Sequence, residues 1–98
     1  MNKEIKIALV EDDENLRFLV AERLHTEGYK VFEAANGDEA EKMILAEQPD
    51  IVLLDWMLPG KQGSEVCGSI REKGFENLII MMTAKAQDID KIEAYNFG

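Results

Sequence analysis

Ile51-Val-Leu-Leu-Asp55-Trp-Met-Leu-Pro59-Gly-Lys-Gln-Gly63 is the stretch that decides how this chain folds. Four apolar residues in a row, with β-branched Ile51 and Val52 at their head, read as a short strand covered on both faces, as in the middle of a parallel sheet. The strand runs straight into a carboxylate. Asp55 stands among Leu54, Trp56, Met57 and Leu58, and a charge there must be paired or lifted to the rim where the strand leaves the sheet. Pro59-Gly60 ends the strand. In open α/β sheets ligands bind at the carboxyl ends of the strands, so Asp55 stands where chemistry is expected. Taken on this stretch alone, a solvated loop acid is the plainer alternative.

Outward from this strand, helix and strand alternate. Ile5–Val10 is β-rich, and Glu11-Asp12-Asp13 offers a helix N-cap before Leu16, Leu19, Val20 and Leu24 recur at helical spacing. Gly28 stops that helix. Lys30–Ala34 alternates like an edge strand, Asn36-Gly37 turns the chain, and Ala40, Met43 and Ile44 mark a second helix that ends before Pro49. Beyond the central strand, Gly63-Ser64 opens a third helix with Val66 and Ile70 inward, and Gly74 closes it. Leu78–Met82 is another buried strand. Asp88 is expected to begin a fourth helix carrying Ile89 and Ile92 inward, with Tyr95 and Phe97 on it and Gly98 at its C-cap. The pattern implies an α/β fold, a doubly wound parallel sheet with right-handed crossovers.

Composition narrows the function classes. A chain of 98 residues makes one domain, residues 1–98, and its 46% hydrophobic content argues for a packed core. The apolar runs are too short to span a bilayer, no signal peptide precedes the first strand, and one cysteine cannot build a disulfide framework. The expected compartment is the cytoplasm. With 11 basic against 20 acidic residues the net charge is −9, which disfavours nucleic acid and anionic membranes and suits divalent cations or basic partners.

All strand ends of a parallel sheet share one rim. Glu11, Asp12 and Asp13 after the first strand, Asp55 after the third and Thr83 after the fourth therefore converge if those strands are neighbours. Crowded carboxylates repel, and no Arg or Lys stands at the end of either acidic strand. A hard divalent cation such as Mg²⁺, with one or two carboxylates, water and a phosphate as ligands, is the economical remedy. The rim looks built for phosphoryl chemistry. Asp13 reads better as a helix cap, while His25 and Cys67 read as bystanders within helices.

The ordered set Leu9-Val-Glu-Asp-Asp13, Leu53-Leu-Asp-Trp-Met-Leu-Pro-Gly60 with Gly63, and Ile79-Ile-Met-Met-Thr-Ala84 resembles the receiver domains of bacterial two-component response regulators, end to end. The resemblance implies a flavodoxin-like sheet of order 2-1-3-4-5. It implies a phosphorylation-dependent switch in which Asp55 accepts a phosphoryl group from the phosphohistidine of a sensor histidine kinase. Such a domain is no enzyme in the usual sense, although it assists its own phosphorylation and autodephosphorylation. By the same resemblance Asp12 and Asp55 are Mg²⁺ ligands, Glu11 holds the metal through water, and the backbone carbonyl of Met57 completes the protein's share. Thr83 reads out the phosphate, Ala84 keeps the approach open, and the side chains of Met57 and Lys85 modulate hydrolysis of the acyl phosphate.

Other readings stay in view. A haloacid-dehalogenase phosphatase also pairs an aspartyl nucleophile with Mg²⁺, but it wants a second Asp where Met57 stands. A flavodoxin would cradle phosphate in its first loop, and Glu11-Asp12-Asp13 would repel one. A receiver-like interaction module that no longer takes phosphate is a third. The chain also departs from the family pattern in lacking the fifth strand, its Lys-Pro turn and the fifth helix, so phosphoryl transfer is expected to suffer. Loss of those elements would leave Leu78–Met82 as an open edge, so the expectation is either that these 98 residues are the ordered part of a longer protein or that the exposed fourth strand pairs or exchanges elements with a second copy as a homodimer.

Overall fold

The computed structural model describes residues 4–82 and the backbone of residues 92–94. Strand and helix alternate as β1 (Lys6–Val10), α1 (Glu14–Thr26), β2 (Lys30–Ala34), α2 (Gly37–Glu47), β3 (Ile51–Asp55), α3 (Gly63–Glu72) and β4 (Leu78–Met82), followed by β5 (Ile92–Ala94). The sheet order is β2-β1-β3-β4-β5. The first four strands run parallel, with Val10 opposite Leu54 and Asp55 opposite Met82.

Local signals in the sequence set the helix ends. Asp13 caps α1 by accepting the amide of Leu16 at 3.1 Å, and Asn36 caps α2 by accepting that of Glu39 at 2.9 Å. Gly74 follows α3 at φ +98°, a left-handed conformation that glycine adopts without steric cost. The main core lies on one face of the sheet. There Ala8, Val10, Val52, Leu54, Ile79 and Met81 alternate inward and meet Ile44 of α2 and Val66, Cys67 and Ile70 of α3. Phe75, just after α3, plugs the same core at 1% exposure.

The opposite face is covered less completely. Helix α1 packs on β1 and β2 there, and among its described residues only Ala21 is fully buried. Leu19, expected inward from its helical spacing, is 63% exposed, as is Phe18. The cause is geometric, because among the described residues α1 packs on β1 and β2 whereas α2 is also flanked by α3, so the apolar side chains on the flank of α1 remain outside. Leu78 is also exposed, and Ile51, Leu53, Ile80 and Met82 are half-buried.

The far end of the chain differs from expectation. Ile92–Ala94 is a strand, not part of a fourth helix, and it pairs antiparallel with β4 through Ile80–Ala94, Met81–Glu93 and Met82–Ile92. Strand β4 is therefore not the open edge foreseen. Its outer backbone groups need partners, and a short strand led by β-branched Ile92 supplies them. Asp88, Ile89, Tyr95, Phe97 and Gly98 lie outside the described residues. No described helix is long and apolar enough to cross a membrane.

Candidate metal centre

Parallel pairing of β1 with β3 sets the ends of two acidic strands side by side. Glu11, Asp12 and Asp55 each present a carboxylate oxygen, and these oxygens lie within 4.8 Å of one another. Glu11 and Asp55 are each only 1% exposed, whereas Asp12 faces solvent.

Each acid is held by a different local device. The Glu11 backbone N–H donates to the carbonyl of Ala34 at 3.1 Å, and its Oε2 accepts the amide of Asp13 at 2.9 Å. Its Oε1 is buried and has no hydrogen-bond partner among the described residues. Asp55 Oδ1 accepts the amide of Met57 at 3.1 Å as the chain turns out of β3. That turn folds back tightly, for the Gly63 amide reaches the Trp56 carbonyl at 3.1 Å. A Cβ on Gly63 would stand 2.6 Å from the backbone oxygen of Asp55, so the return path has room for glycine alone. Leu58, 7% exposed, pins the outer part of the turn to the core, while Trp56 and Met57 stay exposed.

Electrostatics follow from this crowding. Burial pushes the Glu11 carboxyl up to about 8 against the opposing amide of Asp13, and the neighbouring charge of Asp55 adds to the rise. Asp55 is raised as well, chiefly by burial, with the Met57 amide working the other way.

The residues present fit Mg²⁺. All the donors are hard oxygens, the cluster carries excess negative charge, and a buried carboxylate oxygen of Glu11 lacks any partner among the described residues. Asp13 faces its cap and not the cluster. Thr83, Ala84 and Lys85 lie outside the described residues. Sequence reasoning passed over Arg17. Although no cation follows the acidic strands in sequence, α1 carries the Arg17 guanidinium back to the Glu11 carbonyl at 2.8 Å and to Glu33 Oε1 at 3.4 Å.

Comparison with known proteins accords with this architecture. A family model described as the response regulator receiver domain matches residues 7–98. Among solved structures, the response regulator protein TrrA from Thermotoga maritima, in complex with Mg²⁺ and BeF, is 41% identical with a TM-score of 0.77, over 85% of this chain and 72% of that one. The BeF3-activated N-terminal receiver domain of RstA from Klebsiella pneumoniae is 39% identical, with a TM-score of 0.76 over 87% of this chain and 72% of that one. A LuxR-family two-component response regulator from Aurantimonas sp. is 32% identical, with a TM-score of 0.77 over 85% of this chain and 61% of that one. Across such matches the chain spans between 56% and 72% of the solved chain's length. With the family model matching nearly its whole length, and with the sheet order and the acidic rim just described, the chain belongs to the response regulator receiver domains, the signalling modules of two-component systems.

Proposed function

We propose that Asp55 is the phosphoacceptor of this receiver domain and takes its phosphoryl group from the phosphohistidine of a sensor histidine kinase. The observation that supports this reading most is the convergence of Glu11, Asp12 and Asp55 at one strand-end rim, with Glu11 Oε1 buried and unpartnered among the described residues. Asp12 and Asp55 would ligate Mg²⁺ directly, Glu11 through water, and Met57 through its backbone carbonyl. Bound there, the ion neutralises charge on the carboxylates and on the phosphoryl oxygens.

The chain's own residues carry the remaining work. The Met57 amide fixes Asp55 Oδ1, which orients the carboxylate for in-line attack. An oxygen–phosphorus bond forms to Asp55 as the phosphorus–nitrogen bond breaks, and the electron pair returns to the donor imidazole. Thr83 would donate its hydroxyl to a phosphoryl oxygen, with Ala84 leaving that approach open. The side chains of Met57 and Lys85 would govern how readily water returns the acyl phosphate to Asp55. We further infer that the half-exposed sheet face, including Leu78 at 47% exposure, favours association with a second copy. Pairing along β4 has less support, since β5 occupies its outer side from Ile80 to Met82.

The chemistry of the modification tests this reading. A small-molecule phosphodonor with Mg²⁺ should add one phosphoryl group that hydroxylamine cleaves, as it does an acyl phosphate. A gain that is unchanged in EDTA, or that resists hydroxylamine, contradicts the proposal.

A further inference from the structure

We propose that Arg17 is a positioning residue for the cation site, bridging the Glu11 backbone carbonyl and the Glu33 carboxylate so that the Glu11–Asp12 turn presents its acids in register with Asp55. The inference rests on the Mg²⁺ reading given above. Arg17 lies one helical turn beyond the Asp13 cap, and its amide donates to the Asp13 carbonyl at 2.8 Å. Its side chain does not run out into solvent. It doubles back, so that Nη1 donates to the Glu11 carbonyl at 2.8 Å and Nε lies 3.4 Å from Glu33 Oε1, the side chain being 20% exposed.

The consequence for the site follows from peptide planarity. The carbonyl of Glu11 and the amide of Asp12 share one rigid plane, so the hydrogen bond from Arg17 fixes the direction in which the chain leaves toward Asp12. The sheet holds the same residue from the other side through the Glu11 N–H bond to Ala34. Between these two anchors the backbone of Glu11 and the start of Asp12 are held in one direction, and the Asp13 amide on Oε2 then holds the Glu11 carboxylate. Glu33, at the end of β2, holds the far side of the guanidinium. An arginine suits this task because its planar fork addresses two acceptors at once, which a lysine ammonium on a flexible stem does not. The guanidinium also engages a carbonyl of the turn and leaves the three clustered carboxylates to the cation.

Mg²⁺ titration followed by Trp56 fluorescence, in wild type, Arg17→Ala and Glu33→Gln, tests the proposal. Loss of a residue that orients metal ligands typically weakens metal binding by about 10–100-fold, and Arg17→Ala is expected near the lower end, about tenfold. Glu33→Gln, which keeps the fold and loosens only the tether, should shift the half-saturation in the same direction by a smaller factor. At saturating Mg²⁺ the rate of phosphorylation by a small-molecule donor should return to within about twofold of wild type, since positioning is restored by mass action. A mere staple between α1 and the sheet would lower the thermal midpoint and leave the Mg²⁺ half-saturation alone. That result, or a rate that stays depressed at saturating Mg²⁺, overturns the role of Arg17. Absence of any Mg²⁺ response in wild type would instead overturn the underlying site and the inference together.

Discussion

A Cβ at position 63 would stand 2.6 Å from the Asp55 carbonyl and 3.1 Å from Trp56, all of it backbone that cannot swing aside. Gly63→Ala is therefore expected to cost about 1–3 kcal/mol, as overpacking at tight contacts does, and to displace Asp55. A urea midpoint equal to that of wild type would contradict this. Glu11 gives a pH dependence of definite sign. Folded and metal-free, its carboxyl keeps a proton up to about 8, against the ordinary 4.5 of an unfolded chain. The folded state thus holds the extra proton between those values, and stability falls as pH rises through that window. Thermal midpoints in EDTA should drop from pH 5 to pH 8, and Glu11→Gln should flatten the drop. A midpoint that rises over the same range in wild type and variant alike would show that burial does not govern this carboxyl. Saturating Mg²⁺ should oppose the loss, because the cation replaces the proton.

The helices divide the labour unequally. Helices α2 and α3 close the main core, so Ile44→Ala, at a site with 0% exposure, should cost about 2–5 kcal/mol. Leu19→Ser on α1 should stay within about 0.5 kcal/mol, as surface substitutions do. Comparable losses in the two variants, measured by denaturant unfolding, would refute this division. Helical spacing made Leu16, Leu19, Val20 and Leu24 look alike in the sequence. Periodicity defines a stripe, but how much of it a helix buries depends on its neighbours, and among the described residues α1 packs on β1 and β2 without the flanking helix that α2 has in α3. Ile92 departs from its helical expectation for a related reason. Short apolar runs do not choose between helix and strand on their own, and here the unsatisfied side of β4 makes the choice.

At the scale of the whole molecule, the strand ends explain why so much of the site was legible. Once β1 and β3 are recognised as parallel neighbours, Glu11, Asp12 and Asp55 must meet, because their places on the rim follow from where apolar runs stop. Arg17 was not legible, because its contact with Glu11 depends on how a side chain folds back from a helix. The sheet face opposite the main core carries its own prediction: association should rise with concentration in light scattering, and Leu78→Glu should reduce it. A wild-type chain that stays monomeric at high concentration would contradict that inference. The acceptor itself is tested most directly by intact mass after treatment with a small-molecule phosphodonor and Mg²⁺, in wild type and in Asp55→Asn. One phosphoryl group on wild type and none on Asp55→Asn is the predicted result, and phosphorylation of Asp55→Asn at the wild-type rate would contradict the assignment of Asp55.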